Sequence, residues 1–599
     1  MNNLIIFDFE VFKYDTLFGA KIINNNNVQL YQTWNLEEIK EFYNNHKDNS
    51  IWIGHNNSGY DNWILSSIVR NKNPYEKSKD IIENGRRFKF ENLPIKLYYY
   101  DLMSVKQTSL KTLEAFEGKN ISESEVDFDI DRPLTKSEKE LTESYNRDDL
   151  EQTEDDFNYL KDNFILKLKL LNEFNLPLDY LPYTEAMIAG KVLKAKKIPG
   201  IEYQNVEPKV FPFLKLKNQK LMDFFLGKTW LNNASINVNV CGTDNKVARG
   251  GIHGALEKCH FDKALYIDVS GYYNLIMINL GLLPRTMNEE GKQVYTTLYH
   301  QQLAMKKTNP VMRKVFKVIL LAVSGAMMNE HTDFYDPFHG DLMRLNGQLF
   351  LVDLLEKLEG KVTLVQSNTD GIIIVPINSY SREDVVNIAK EWMERTGFNA
   401  KVEDIYNITQ RDVNNYMYQD DKGEIHTLGE AVKHYGGVDN PFETDGFNSK
   451  ESLIISKAIV DYYINNILPE ETVKKNKSNL KYFQYICKKI SYDYCEFEEI
   501  LQNGDIVSTR IQNVNRAFAS NDEKVKGMVY KYKKDGKKAK ISNLPDNVFV
   551  YNNDIRDPSV LKELENKIDY QYYIDRIYER IAEFIKIKTI KDINLWTSY

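Results

Sequence analysis

Acidic residues lie within or beside strand-like apolar segments at distant places in this chain. Asp8 and Glu10 interrupt an apolar run at the N-terminus, Asp268 ends a run near the middle, and Asp370 precedes a third. A carboxylate beside a buried strand is costly unless it is paired or binds a cation. Several such acids in one chain predict phosphoryl chemistry with two metal ions, and they are numerous enough for two separate sites.

Composition places the chain among globular proteins. Its 599 residues allow roughly three to five domains of about 150 residues each. Four cysteines, with no C-x-x-C pair among them, predict neither a zinc site nor a disulfide scaffold and favour a reducing compartment. No signal peptide and no apolar run of membrane-spanning length is visible. We therefore expect a cytoplasmic protein without a membrane partner.

The net charge of −8 does not by itself favour nucleic acid as a partner, although a local basic face is sufficient for binding. One basic segment runs from Lys524 to Lys540, with Tyr530 and Tyr532 between its lysines. Asp535-Gly536 predicts a hairpin turn there. Two interpretations stay open for this segment, a solvated hairpin and a face that contacts nucleic acid phosphates.

Residues 1–160 alternate strand and helix patterns, which predicts an α/β domain. Asp8 and Glu10 are two apart, so on a strand both point to one face. Asp61 ends the turn-rich segment that begins at Asn56. Tyr145 and Asp149 are four apart, so on a helix they also share a face. Each pattern alone is more often structural than catalytic.

Taken in order, D-x-E, N-x-x-x-Y-D and Y-x-x-x-D resemble the three motifs of proofreading 3′–5′ exonucleases. The resemblance implies that Tyr145 orients an attacking water beside four metal ligands, Asp8, Glu10, Asp61 and Asp149. Asp101 also follows an apolar run but matches none of the motifs. We predict that it caps a helix.

A segment rich in Lys and Arg lies between the two central acids, Asp268 and Asp370. Asp268 follows a buried-strand pattern, and Asp370 lies at the bend of a predicted hairpin. Between them, Lys317 continues a helix rich in cations that ends in small residues, a pattern that suits a triphosphate. The alternatives are two unrelated turn aspartates and an amphipathic surface helix.

This region resembles family B DNA polymerases. Asp268 to Ile276 is similar to motif A, Lys317 to Gly325 to motif B, and Asn368 to Gly371 to motif C. Ala248 to Gly251 is similar to the Y-x-G-G element that lies between the exonuclease and polymerase parts. Asn414 to Tyr416, followed by Lys433, is loosely similar to the K-x-Y region that contacts the primer end. The similarity is greatest to the compact polymerases of bacteriophages.

The chain departs from these motifs at several positions. Leu321 replaces the Asn of motif B, and Ser324 replaces its Tyr, which removes an aromatic side chain that would stack near the nascent base pair. Asn368 replaces the first Asp of motif C, while Asp370 keeps the second. Other replacements are Ala248 for Tyr in the Y-x-G-G element, and Gly271 for Ser and Asn274 for Pro in motif A.

The resemblance implies a fold and a division into domains. The expected fold is α/β and α+β, with an RNase H-like exonuclease domain followed by palm, fingers and thumb. The predicted ranges are 1–160 for the exonuclease, 161–245 for a connector, 246–285 and 331–450 for the palm, 286–330 for the fingers, and 451–599 for the thumb and C-terminal region.

The resemblance also implies ligands for particular residues. Two Mg²⁺ ions per site, with Mn²⁺ as an alternative, would be held in the polymerase part by Asp268, Val269 and Asp370. Nucleotide contacts are expected from Tyr273, Lys307, Arg313, Lys317 and Gly325. DNA contacts are expected from Gly250, Gly251, Tyr416, Lys433, Lys531 and Lys533.

The expected function is template-directed extension of a primer with dNTPs and 3′–5′ proofreading, by a monomer that replicates a phage genome in the host cytoplasm. Primer–template DNA, dNTPs and other replication proteins are the expected partners. Two alternatives stay open, a stand-alone exonuclease on a DNA-binding scaffold and a non-enzymatic replication protein. A family A polymerase is disfavoured because the chain lacks the His-Asp-Glu triplet of that family.

Overall fold

The chain builds two compact units and passes between them several times. The computed structural model describes residues 3–24, 27–88, 92–201, 208–210, 212–444 and 446–584. Unit 1 comprises residues 1–182, 434–457 and 470–576, and unit 2 comprises 183–433, 458–469 and 577–599. The end of the predicted C-terminal region, 585–599, lies outside the described residues, and the predicted domain boundaries stay predictions.

The N-terminal part of unit 1 is a five-stranded sheet with helices. Its strands are β1 (Asn3–Val11), β2 (Thr16–Asn24), β3 (Asn27–Thr33), β4 (Ser50–Gly54) and β5 (Tyr99–Asp101). The order is β3-β2-β1-β4-β5, with β1, β4 and β5 parallel and β2 and β3 added antiparallel. Phe7, Phe18 and Trp52 are buried in its core. The predicted α/β character of this segment is confirmed.

The helices of this part are α1 (Leu36–His46), α2 (Asp61–Val69), α3 (Pro74–Phe88), α4 (Leu110–Glu117) and α5 (Lys136–Glu173). Thr135 and Glu138 form a capping box at the start of α5, an arrangement that satisfies two backbone N–H groups. The helix expected to carry Tyr145 and Asp149 is α5, and it continues to Glu173, into the segment assigned to a connector.

Unit 2 is built around a nine-stranded sheet. Two helices precede the sheet in the sequence, α6 (Glu185–Val192) and α7 (Gln219–Leu226). Four strands follow, β6 (Ser235–Val240), β7 (Thr243–Ala248), β8 (Gly251–Ala255) and β9 (Cys259–Val269). Four helices come next, α8 (Tyr272–Leu280), α9 (Glu289–Ala304), α10 (Pro310–Ala326) and α11 (Pro337–Leu358). The helix expected to carry Lys317 is α10, which begins at Pro310 with Asn309 as its N-cap,.

The sheet is completed by β10 (Val362–Asn368), β11 (Gly371–Pro376), β12 (Ala400–Asp412), β13 (Asn415–Asp420) and β14 (Ile425–Leu428), with α12 (Arg382–Thr396) between β11 and β12. Its order is β14-β13-β12-β9-β11-β10-β8-β7-β6. Strands β10 and β11 pair antiparallel, so the predicted hairpin around Asp370 is confirmed.

The C-terminal part begins with three helices, α13 (Pro441–Thr444), α14 (Leu453–Asn465) and α15 (Pro469–Asn476). Seven strands follow, β15 (Tyr485–Lys488), β16 (Tyr494–Leu501), β17 (Ile506–Ile511), β18 (Val514–Ala519), β19 (Val525–Tyr532), β20 (Lys538–Lys540) and β21 (Val548–Val550). The last helices are α16 (Pro558–Leu564) and α17 (Tyr570–Ile581).

The strands of this part form two sheets, β15-β18-β21 and β17-β16-β19-β20. The pairing of β19 with β20 around Asp535-Gly536 confirms the predicted lysine-rich hairpin. Within the described ranges, the structure contains no helix with the length and apolar character that crossing a bilayer requires.

Candidate functional sites

Three carboxylates meet on the N-terminal sheet. The side-chain oxygens of Asp8, Glu10 and Asp149 lie within 4.8 Å of one another. Asp8 and Glu10 project from one face of β1, and Asp149 reaches them from α5, which packs on β1 and β2. Asp61 begins α2, and its Oδ1 accepts a hydrogen bond from the backbone N–H of Phe9 at 3.2 Å. The fold thus brings together all four acids predicted from the exonuclease-like motifs.

Burial and mutual repulsion destabilise the ionised form of these carboxylates. Burial, with repulsion from Asp149, raises the pKa of Asp8 to about 7. Burial and the nearby Asp8 carboxylate raise the pKa values of both Glu10 and Asp61 well above their ordinary ranges. Clustered carboxylates at this density repel one another unless a cation binds. The donor set, all carboxylate oxygen, is one that Mg²⁺ and Mn²⁺ accept.

Tyr145 lies one helical turn before Asp149, and its hydroxyl hydrogen-bonds to the Asp149 carboxylate. Burial, with the nearby acid, raises the pKa of the Tyr145 hydroxyl, so it stays protonated. A protonated hydroxyl at this place can donate to an oxygen of a bound ligand or water.

Lys111, which supplies a cation to the cluster, was not predicted from the sequence. Its Nζ lies 2.5 Å from Asp149 Oδ1 and 2.9 Å from Glu114 Oε1, and 4.5 Å from the centre of the Tyr145 ring. Asn146 was also missed, and its Nδ2 donates to Asp8 Oδ2 at 2.9 Å. In the sequence, the spacing of Lys111 and Glu114 is that of an ordinary i, i+3 ion pair on a helix surface. It therefore did not indicate a role in the site.

Asp101 has the predicted capping role. Its carboxylate accepts from the backbone N–H of Met103 at the start of a short 3₁₀ helix. It also accepts from the backbone N–H groups of Asn56 and Ser58 at 2.9 and 3.2 Å. Asp101 therefore fixes the loop that leads to Asp61, and it supports the carboxylate cluster without joining it.

In unit 2, strand pairing brings Asp268 and Asp370 together. Gly371 is the register partner of Asp268 across β11 and β9, and the backbone N–H of Val269 approaches the Asp370 carbonyl at 3.4 Å. Burial raises the pKa of both carboxylates, and for Asp370 the Asp268 charge adds to this effect. Thr369, at the hairpin turn, has φ of +55°, a strained backbone for a β-branched residue. Such strain is concentrated at functional sites.

These two acids lie in a cleft of about 420 Å³. One wall is formed by residues of α10 that are three or four positions apart and therefore share one face of the helix. The cations that line the cleft are Lys306, Arg313, Lys317 and Lys401. Arg313 Nε has no hydrogen-bond partner among the described residues. Leu321 and Ser324, the two departures in the motif B-like segment, line the same cleft. A cleft with two acids facing four cations suits a metal-bound polyphosphate.

Val269, a predicted metal ligand, and Tyr273, a predicted nucleotide contact, both line the cleft. Lys307 and Gly325 are not among its lining residues, and the nucleotide contacts expected from them stay predictions. Lys306, the neighbour of Lys307, does line the cleft. Gly347 of α11 allows the rings of Tyr272 and Tyr273 to pack, because a Cβ there would lie 3.2 and 3.3 Å from them.

Sequence reasoning missed two residues near Asp268, Lys401, which lines the cleft, and Glu403. Lys401 is the register partner of Asp268 on β12, and its Nζ lies 3.1 Å from Glu403 Oε1. Burial and the Glu403 charge raise the pKa of Asp268, and Lys401 and Lys317 oppose them. Neither residue matches a motif, because their closeness to Asp268 depends on the pairing of β12 with β9.

Two of the predicted DNA contacts in unit 2, Gly251 and Tyr416, lie close to Thr369 and Asp370 respectively. Gly251 begins β8, where a Cβ would lie 3.6 Å from Thr369 Oγ1, and Gly250 precedes it in the turn. The Tyr416 hydroxyl hydrogen-bonds to the side chains of Gln366 and Asn368. Lys433 forms an ion pair with Glu430 at 3.0 Å.

The predicted DNA contacts in unit 1 lie on the lysine-rich hairpin. The Nζ atoms of Lys531 and Lys533 lie 4.6 and 5.8 Å from the centre of the Tyr492 ring. In the described part of the chain, neither lysine forms an ion pair. Both ammonium groups are therefore available to an anionic partner.

Comparisons with known proteins give a distant likeness to a solved structure. No family model matches the chain, and no curated protein is similar to it. Among solved structures, the chain is similar to the family B DNA polymerase of the hyperthermophilic archaeon Pyrobaculum calidifontis, with 14% identity and a TM-score of 0.43, over 98% of this chain and 79% of that one. A likeness of this size leaves the functional inference to the arrangement of side chains described above.

Proposed function

We propose that this protein is a template-directed DNA polymerase that extends a primer 3′ end with dNTPs and carries a 3′–5′ proofreading exonuclease. The observation that carries the proposal is the placement of Asp268, on β9, beside Asp370, in the turn between β10 and β11, in one cleft with Lys306, Arg313 and Lys317. Paired acids opposite a row of cations match what transfer of a nucleotide from a triphosphate requires.

The cations of the cleft would bind the triphosphate. Arg313 and Lys317 are one helical turn apart on α10, and Lys306 lies at the end of α9, so their charges act on one elongated anion. Burial and the nearby Asp370 carboxylate raise the pKa of the Tyr273 hydroxyl. Tyr273, next to this acid, would lie beneath the sugar. Sequence would be read by base pairing, with the protein contacting backbone and shape.

Asp268 and Asp370 suit divalent cations, because each carboxylate raises the free-energy cost of ionising the other. Asp268 and Asp370 would hold two Mg²⁺ ions, with the Val269 carbonyl as a further ligand. When bound, such ions lower the pKa of the primer 3′-hydroxyl and stabilise the leaving pyrophosphate. The residues themselves hold these groups in place, and positioning is a large part of catalysis.

The cluster of Asp8, Glu10, Asp61 and Asp149 supports the second activity. Its carboxylates would hold two Mg²⁺ ions beside the terminal phosphodiester, and Tyr145 would orient the attacking water. Lys111 holds Asp149 in place. The proposal extends to DNA contacts by Gly250, Gly251, Tyr416, Lys433, Lys531 and Lys533, and to replication of a phage genome by a monomer.

Primer extension tests the proposal. A 5′-labelled primer–template is incubated with Mg²⁺, with and without dNTPs, using wild type, Asp370→Ala and Asp8→Ala. We expect extension with dNTPs and 3′ shortening without them. Asp370→Ala should abolish only extension, and Asp8→Ala should abolish only shortening. Shortening that is unchanged in Asp370→Ala, with no extension by wild type, would leave a stand-alone exonuclease.

A further inference from the structure

A buried arginine fastens helix α4 to the three-stranded sheet β15-β18-β21. Arg516, on β18, is 0% exposed. Its Nη2 donates to the carbonyls of Ala115 and Lys119 at 3.0 and 2.8 Å, the first inside α4 and the second just beyond its end. Its other groups donate to Gln484 Oε1 and to the carbonyls of Tyr551 and Asn553.

No carboxylate accepts a hydrogen bond from this guanidinium within the described ranges. Burial accordingly lowers the pKa of Arg516 to about 9. An unpaired buried charge is expensive to keep. Compensation comes from the nearby charge of Asp554 and from five oxygen acceptors, among them the Ala115 carbonyl at the negative end of the α4 dipole,. If the C-terminus of α4 moves, the guanidinium loses two of these five acceptors.

Further contacts fix the same end of α4. Gly118 has φ of +81°, and a Cβ there would lie 3.0 Å from Ile555 Cγ1. The backbone N–H of Ile555 donates to the Gly118 carbonyl at 2.8 Å, and Gln484 Nε2 donates to the Phe116 carbonyl at 2.9 Å. The end of α4 thus has little freedom to shift relative to the sheet.

The other end of the same helix reaches the carboxylate cluster. Lys111, in the first turn of α4, contacts Asp149 and Glu114 through Nζ. A helix of eight residues is about 12 Å long and shifts as a rigid rod. A displacement of its C-terminus would therefore move the Lys111 ammonium relative to Asp149.

We infer that Arg516 is a positioning residue for the exonuclease site, which acts through α4 by fixing where Lys111 meets Asp149. The inference rests on the proposed exonuclease activity. It makes the C-terminal sheet part of the exonuclease machinery, although that sheet contributes no ligand to the carboxylate cluster.

A double-mutant cycle tests the inference. The exonuclease kcat at saturating single-stranded DNA is measured for wild type, Arg516→Met, Lys111→Met and the double variant. We expect Arg516→Met to reduce kcat by roughly 10- to 100-fold, the scale of a displacement of about 1 Å in an active site. In the double variant, kcat should equal that of Lys111→Met, because both changes remove one interaction. Primer extension should stay unchanged.

Asn513→Ala is the matched control. It removes a hydrogen bond of 3.0 Å from the same C-terminal part to Glu123, beyond the end of α4, so kcat should not change. If Arg516→Met does not fold, Gln484→Ala replaces it in the cycle, because it loosens the same end of α4. Multiplicative effects in the cycle, or an unchanged kcat in the folded variant, would overturn the inference. No shortening by wild type would instead refute the proposed exonuclease.

Discussion

Lys111 Nζ lies 2.5 Å from Asp149 Oδ1, so a buried ammonium contacts the acid cluster that the exonuclease-like motifs predicted. Four acids with raised pKa values surround this region, and the Coulomb attraction of Lys111 lowers the pKa of Asp149 against the effect of burial. The ammonium therefore reduces the repulsion within the cluster and fixes the Asp149 rotamer while leaving Asp8 and Glu10 to bind cations.

Replacing Lys111 by Met should abolish most of the 3′–5′ exonuclease activity and spare primer extension. The variant keeps the length of the side chain but removes the charge that orients Asp149. We expect a fall of roughly 10- to 100-fold in kcat, as for other supporting residues of metal sites. Release of labelled dNMP from single-stranded DNA measures it.

Lys21→Met is the control for this change. Lys21 is also a partly buried lysine that pairs with an acid of α5, Glu154 at 2.8 Å, but it contacts neither α4 nor the cluster through an ion pair of the described residues. Its exonuclease rate should stay within about twofold of wild type, since effects at independent sites do not couple. An equal loss in both variants would mean that general destabilisation explains the effect of Lys111→Met.

Replacing Gly371 by Ala should impair primer extension. A Cβ at this position would lie 2.9 Å from the Tyr266 ring and 3.2 Å from the Ile267 carbonyl. Strand β11 would have to shift, and Asp370 would move relative to Asp268, its neighbour across the pairing. We expect kcat for extension to fall by about 100-fold, as for misplacements of about 1 Å.

Gly436→Ala provides the comparison, because a Cβ there meets no atom within 4 Å. Single-nucleotide extension by both variants should be measured along with their exonuclease rates. A Gly371→Ala protein with normal extension would show that the spacing of the two acids tolerates the shift.

Local patterns, taken in their order along the chain and compared with known motifs, predicted the acids of both candidate sites. Asp268 at the end of an apolar run and Asp370 at a hairpin bend each depend on a few neighbouring residues. Strand pairing then brings them together. Lys111, Lys401 and Arg516 could not be found in the same way, because their roles depend on packing between segments far apart in the chain, such as α4 against α5.

The sequence also could not show which of the two lysines after α9 faces the cleft. The sequence favoured Lys307 as a nucleotide contact, but Lys306 lines the cleft. Helix α9 ends at Ala304 and α10 begins at Pro310, so these lysines lie in a connecting turn where one residue changes the direction of the side chain. Helix boundaries are the least reliable feature of sequence-based assignment.

This difference gives a comparison of two neighbouring residues. Lys306→Ala should raise the KM for dNTPs by roughly tenfold or more, because a charge-assisted contact contributes about 1.5–3 kcal/mol. Lys307→Ala should change KM by less than about twofold, the scale of an exposed charge that makes no direct contact. Steady-state single-nucleotide incorporation measures both values. A larger effect at Lys307 would reverse this assignment.

Asp341 should give the folding stability a characteristic pH dependence. It is buried in α11 and accepts from Arg249 Nε and Nη2, each at 2.8 Å. Burial raises its pKa from 3.8 to about 6, against the opposing effect of Arg249. Between these values the folded state binds more protons than the unfolded state, so the stability contributed by Asp341 is complete below about pH 4 and is lost as the pH rises through about 6.

Asp341→Asn removes this titration while keeping the shape of the side chain. The free energy of unfolding of wild type minus that of the variant should therefore decrease by roughly 1–3 kcal/mol between about pH 4 and pH 7. Urea denaturation of both proteins across this range measures the difference, and other titrating groups cancel because they are common to both. A difference that grows with pH would mean that the ion pair with Arg249 outweighs the cost of burial, and that Asp341 is ionised in the folded protein at all these pH values.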